Sequence, residues 1–288
     1  MADKKILACT DGSAPYAASV YDHAAWAAKR IDASVEILHV LDHHSDRKSG
    51  AVDLSGSIGM DARDELLEQL AELDNVKAKV AQKRARLILE DAEKRLTAAG
   101  VSEVSLTQRH GTVVETVDEF EDAANLIVIG KRGETHDVAS EHLGANLERV
   151  VRASRRPVLV ASRAFKPIEK VLIAFDGSPS ARRAVEAIGK SPLLKGLACH
   201  VLSVGYDGSE RREQMTWATD TLKTNGIEAE AVVRQGDADD VITAYVRDEG
   251  INLMVMGAYG HSRIRSFIVG STTTTMIRTC KIPLLMVR

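Results

Sequence analysis

Aromatic residues are scarce in this chain, only 4% of its 288 positions. A surface that grips single-stranded nucleic acid by stacking needs such rings, so nucleic acid is not an expected partner. Charge of one sign is also missing. The 38 lysines and arginines stand against 41 aspartates and glutamates, for a formal net charge of −3. That balance offers no broad attraction to a polyanion or a membrane surface. The cysteines are few, Cys9, Cys199 and Cys280, and no spacing pairs them. Sparse thiols near apolar runs read as small buried hydrophobes in a reducing cytoplasm. No apolar run approaches a membrane span, and the one after Met1–Lys5 is too short for a signal peptide. The complete Walker A pattern, Gly-x4-Gly-Lys-Ser/Thr, does not occur: the Gly-Lys-Ser at 189–191 has Ala184 where the first glycine belongs. No Ser-His-Asp or Cys-His arrangement has supporting context.

What is present repeats. Ile6–Ser13 (ILACTDGS) matches Val171–Ser178 (VLIAFDGS), and Arg109-His110-Gly111 matches Arg234-Gln235-Gly236. Asn125–Gly133 (NLIVIGKRG) matches Asn252–Gly260 (NLMVMGAYG), and Arg156–Val160 matches Ile282–Val287. A period this long is a whole domain, so the chain reads as two fused copies: 1–162 and 170–288, joined by a short polar linker at 163–169. In each copy, short apolar runs alternate with stretches of three-and-four spacing such as Ala17, Val20, Ala24, Ala27 and Ile31. The runs are nearly unbroken, as expected of strands covered on both faces. The fold class expected is α/β, with parallel sheets and right-handed crossovers.

The copies differ most between their second and third strands, where the first is about forty residues longer. The extra region, about 45–98, starts Gly/Ser-rich and continues as a charged helix or helix pair from Asp61 to Ala98. Leu66, Leu73, Val80 and Leu87 fall seven apart, with Leu70 and Val76 between them. This predicts an amphipathic helix packed on its own sheet, or else an arm that binds a partner or forms a dimer.

Both copies run from a strand into Asp-Gly-Ser, at Asp11 and Asp176. This can be a turn and helix N-cap, or a carboxylate at the ligand-binding end of a parallel sheet. Beside a phosphate such a carboxylate would need a metal or a ribose hydroxyl. The second copy adds a sharper signal. After Met256, Gly257 ends a strand, Gly260 follows in the loop, and Gly270 opens a helix with Ser271 or Thr272 as N-cap. Helix-start N–H groups and the helix dipole favour an anion there. His261, Arg263 and Arg265 could offset phosphate charge.

With these residues the chain resembles the universal stress proteins in their tandem two-domain form. That family's nucleotide motif, G-x2-G-x9-G-[S/T], is matched in full by Gly257, Gly260, Gly270 and Ser271. The resemblance implies two open five-stranded parallel sheets of order 3-2-1-4-5 with helices on both faces, paired through their last strands. It implies ATP as ligand, with Mg²⁺. Ala174, Phe175 and Asp176 would line the adenine and ribose end, and Asp176 could help place the metal. Val204 would offer backbone groups to adenine. Met256, Gly257 and Gly260 would pass along the ribose and phosphates, with Gly270, Ser271 and Thr272 holding the phosphates and His261 nearby.

The first copy departs from the motif. Asp11, Val40, Gly130 and Gly133 remain, but ten residues separate Gly133 from Gly144, and Ala145 stands where Ser or Thr belongs. Glu134, Asp137 and Glu141 would repel a triphosphate. The nucleotide is therefore expected mainly in the second copy. Weaker candidates are a metal at His39, His43 and His44 with Asp42 and Asp46, against a solvated loop, and the basic run Arg149–Arg156, which reads as a helix C-terminus. No residue stands out as a base for ATP hydrolysis. The reading is a cytoplasmic stress-response protein that binds ATP as a regulatory ligand, is expected to form a homodimer, and has other protein partners that the sequence does not name. The alternatives are an interaction scaffold acting through the first copy's extra helical region, or a slow ATPase.

Overall fold

A computed structural model describes residues 4–13, 16–41, 60–131, 145–258, 275–277 and 279–288. The first half contains β1 (Lys5–Thr10), α1 (Tyr16–Ile31), β2 (Ser34–Leu41), α2 (Met60–Ala98), β3 (Val104–His110), α3 (Val113–Phe120), β4 (Leu126–Gly130), α4 (Ala145–Ala153) and β5 (Val158–Ala161). The second contains β6 (Lys170–Ala174), α5 (Pro179–Lys190), β7 (Ala198–Val204), α6 (Ser209–Thr224), β8 (Ala229–Arg234), α7 (Ala238–Asp248), β9 (Leu253–Gly257) and β10 (Leu284–Val287). All ten strands join one sheet in the order β3-β2-β1-β4-β5-β10-β9-β6-β7-β8. Each half thus carries the 3-2-1-4-5 order that the family resemblance implied. Within each half every pairing is parallel. The halves meet through β5 and β10, which pair antiparallel with Leu159 opposite Leu285. The carboxyl ends of the strands therefore open at opposite rims of the sheet in the two halves.

The inner strands are apolar on both faces because helices cover both. β5 and β10 are buried throughout. The outermost strands, β3 and β8, depart from the unbroken pattern expected for all ten: most of their residues are exposed or half-buried. Each has one strand neighbour, and their polar residues blunt an open edge.

The linker is not a solvated tether. Ile168 is buried, Phe165 packs edge-on against the His23 ring at 5.0 Å, and Ser19 Oγ donates to the Ser162 carbonyl at 2.7 Å. Side chains also bolt the halves together. Arg30, at the end of α1, donates to the carbonyls of Leu193 and Lys195. Arg288 Nη1 donates to the carbonyls of Arg152 (2.9 Å) and Ala153 (3.2 Å), placing a cation on the C-terminus of α4. Lys131 Nζ donates to the Cys280 carbonyl at 2.6 Å.

From Met60 to Ala98 the extra region of the first half forms one helix, α2, not a pair. It meets the core along Ala85, Leu89, Ala92 and Leu96, all buried, and Arg95 holds Asp22 of α1 with two bonds of 2.9 and 2.7 Å. The sevenfold stripe does not pack on the sheet as one sequence reading had it: Leu73, Val80 and Leu87 are exposed. Two apolar stripes share this helix, and the sheet is long enough to cover only the one near its C-terminal end.

His23 is fully buried, with Nδ1 2.7 Å from the Ser19 carbonyl and no hydrogen-bond partner at Nε2 among the described residues. Burial pushes its pKa below the ordinary 6.5. Above that value the ring is neutral in both folded and unfolded chains. As pH falls below it, the unfolded chain takes up a proton that the native chain still refuses. Stability should therefore fall on acidification below about pH 6.5, at up to about 1.4 kcal/mol per pH unit, until the folded pKa is passed. Urea unfolding from pH 7.5 to 5 checks this, because His23→Gln should remove that part of the slope. An identical slope in the variant would refute the assignment.

Candidate functional site

Three parallel strand ends lie side by side at one rim of the second half. β6 has β7 on one side and β9 on the other, so its carboxyl end is the switch point of the sheet, where crevices form in open α/β folds. Ala174 ends β6, half-buried, and Val204 ends β7 likewise. Asp176 follows, exposed, with Oδ1 accepting from the Ser178 N–H at 2.9 Å. This short turn needs Gly177 at φ +79°. Ser178 then caps α5, its hydroxyl accepting from the Ala181 N–H, and Pro179 begins the helix.

The structure brings Ala174, Phe175, Asp176, Val204, Met256 and Gly257 to this rim, but not all offer a side chain. Phe175 is buried and stacks on Trp217, with centroids 6.1 Å apart and planes 24° from parallel. Met256 is also buried in the core. What both present at the crevice is backbone. Gly257 has a requirement of its own. A Cβ there would lie 2.7 Å from the Ser180 carbonyl carbon and 2.9 Å from the Ala181 nitrogen, so β9 ends in contact with the first turn of α5. Gly260, His261, Gly270, Ser271 and Thr272 lie outside the described residues, as do Gly133 and Gly144 of the first half.

Two arginines at this rim escaped the sequence reading. Arg182, in the first turn of α5, donates to the Gly177 carbonyl at 3.2 Å and lies over the Trp217 ring at 4.5 Å. Arg211, in the first turn of α6, donates to Ser203 Oγ and, at 3.0 Å, to the Tyr206 carbonyl. It sits so close to Gly205 that a Cβ there would come within 2.7 Å of its Nη2. These guanidinium groups order the loops after β6 and β7 and put positive charge beside the crevice. Their signal was positional: a basic residue in the first turn of a helix that opens at a strand exit.

The first half has the same frame but a different lining. Asp11 accepts from the N–H (3.0 Å) and hydroxyl (2.7 Å) of Ser13. The position matching Arg182 is Ala17, which is buried. The sec-butyl side chain of Ile88, from α2, comes within 2.3 Å of where a Gly12 Cβ would stand; the matching contact at Gly177 is the Gln214 amide, at 2.2 Å. An apolar group thus leans on the first Asp-Gly-Ser turn and a polar one on the second. Val40 is the penultimate residue of β2 and Gly130 ends β4, both half-buried.

Other candidates resolve into structure. His39 is buried, its Nδ1 2.8 Å from the Thr10 carbonyl, while His43, His44, Asp42 and Asp46 lie outside the described residues. Among the described residues no cluster of three or more His, Cys, Asp or Glu is placed to hold a metal. The basic run does cap structure: Arg152 pairs with Glu148, Arg155 with Glu121, and Arg156 donates to the carbonyls of Glu121 and Asp122. Burial pushes the Cys9 thiol up to about 12 and the Cys199 thiol up to about 11, far from the thiolate state a nucleophile needs.

The family model for the universal stress protein family matches residues 3–162 and again 167–288. The chain belongs to the universal stress protein family. A universal stress protein of Synechocystis sp. is 37% identical over 287 residues, covering 99% of this chain and all of the relative. Among solved structures, a universal stress protein from Archaeoglobus fulgidus shares 21% identity at a TM-score of 0.70, covering 99% of this chain and 98% of that one. A Pseudomonas aeruginosa protein of unknown function shares 15% at a TM-score of 0.62, over 99% and 92% of the two chains. At these identities the structures speak for the fold, two family domains in one chain. No helix among the described residues is long and apolar enough to cross a membrane.

Proposed function

We propose that this chain binds ATP with Mg²⁺ in its second domain and uses it as a regulatory ligand in a cytoplasmic stress response. The observation that carries the reading is the full G-x2-G-x9-G-S run beginning at Gly257, at the end of β9 and beside the switch point. Asp176 suits the metal, since its carboxylate is exposed at that rim and Mg²⁺ prefers hard oxygen ligands. Arg182 and Arg211 favour a polyanion there, while the first domain has Ala17 where Arg182 stands and the apolar Ile88 where Gln214 stands. No general base for hydrolysis stands out among the described residues, which fits a nucleotide that is held and turned over slowly at most.

Thermal unfolding tests this. Ligand at a hundred times its dissociation constant adds about 2.7 kcal/mol, or several degrees of Tm at about 2–4 °C per kcal/mol. Millimolar Mg-ATP should give such a shift. Ser271→Ala with Thr272→Ala should shrink it, and the first-domain change Asp11→Asn should leave it nearly intact. No shift, together with no nucleotide released on denaturing the purified protein, would rule the reading out. A shift lost in Asp11→Asn but kept in the double variant would move the site to the first domain.

A further inference from the structure

From Glu68 to Val80 every residue of α2 is exposed, although the helix continues into a well-packed second half. Along this stretch and just beyond it Leu70, Leu73, Val76, Val80 and Leu87 are between 39% and 62% exposed. A helix gains most of its stability by burying an apolar stripe, and this stripe has no partner within the described residues. The charges beside it are sorted by sign. Between 68 and 75 they are all negative: Glu68, Glu72 and Asp74. Between 76 and 87 they are all positive: Lys77, Lys79, Lys83, Arg84 and Arg86. A sequence with the two signs in separate blocks complements its own reverse.

We propose that this segment pairs antiparallel with the same segment of a second copy, about a twofold axis near Val76. The acidic block of each helix then faces the basic block of the other, and the leucine and valine stripes cover each other. A parallel, in-register pair would set glutamate against glutamate and lysine against lysine, which disfavours it. The segment from Leu66 to Leu87 spans about 33 Å at 1.5 Å per residue, three heptads. The joining strands cannot serve this purpose, because β5 and β10 already cover each other within one chain. Lys77 and Arg84 stand where the three-and-four alternation calls for apolar residues. Cohesion therefore leans on charge, and the association is weak and sensitive to salt.

Sedimentation equilibrium of the full chain tests the proposal. In low salt it should show a reversible dimer, with a dissociation constant at least tenfold weaker at about 0.5 M salt, where screening is nearly complete. Lys77→Glu with Lys79→Glu and Lys83→Glu should be monomeric, as should Glu68→Lys with Glu72→Lys and Asp74→Lys. An equimolar mixture of the two variants should form heterodimers. Orientation is read by oxidative cross-linking. In the antiparallel pair two copies of residue 69 lie about 21 Å apart along the axis. Gln69→Cys, which flanks the apolar stripe, should then not cross-link alone but should do so when mixed with Lys83→Cys. A monomeric wild type at about 0.2 mM, a dimer unaffected by both charge reversals, or ready cross-linking of Gln69→Cys alone would each overturn it.

Discussion

Gly257→Ala should lower the stability of the second domain by about 3 kcal/mol, read as a Tm lower by about 10 °C. The added methyl would meet the Ser180 carbonyl carbon at 2.7 Å, its oxygen at 2.8 Å and the Ala181 nitrogen at 2.9 Å. These are backbone atoms in the first turn of α5, and they cannot swing aside as a side chain would. That turn is fixed by the Ser178 cap and by Ala181, Ala184 and Val185 in the core. Gly226→Ala is the control: it keeps a positive φ of +78° but meets nothing within 4 Å, so only the backbone strain of about 1 kcal/mol should appear. Equal losses in the two variants would dispose of the close-packing argument. The same geometry decides how ligand binding should be tested. A bulky residue at 257 damages the fold whether or not a nucleotide binds, so the phosphate-side hydroxyls are the better targets.

Glu121→Ala should cost about 3 kcal/mol, because a buried hydrogen-bonded carboxylate cannot be removed without stranding its donors. Glu121 is fully buried at the start of the 3₁₀ turn Glu121–Ala123, between α3 and β4. It accepts from the Ser154 hydroxyl at 2.5 Å, the Arg155 N–H at 3.0 Å and Arg155 Nε at 2.7 Å. It thus ties the entry of β4 to the entry of β5. Its loss leaves the buried Ser154 hydroxyl unpaired and opens a cavity, whereas Arg155 can turn to water or to Asp122. Glu121→Gln keeps the shape and one acceptor, so it should lose roughly half as much. Urea denaturation distinguishes these outcomes, and a loss below about 1 kcal/mol for the alanine variant would mean that the network adds little.

The fold was legible because its signals are redundant. Two copies of ILACTDGS-like and NLIVIG-like runs fix both the strands and their equivalence. The site was legible only in part. Gly257 stood out for its spacing, yet spacing does not say that the group pressing against it is the backbone of α5. Arg182 and Arg211 carry no motif, and they matter only because helix geometry returns them to the loops after β6 and β7. The linker was misjudged as merely polar because Phe165 and Ile168, two apolar residues among charged ones, dock on α1 and the core. In α2 the sevenfold leucines drew attention, while the small Ala85 and Ala92 that reach the sheet did not.

The join between β5 and β10 also sets an order of events during synthesis. Leu159 waits for Leu285, a partner 126 residues further along the chain (285 − 159). Until β10 leaves the ribosome, the first domain carries an entirely apolar strand with one side unpaired. Such an edge invites pairing with another nascent chain. β10 therefore closes the first domain as much as it completes the second, and a chain stopped before Leu284 leaves both halves unfinished.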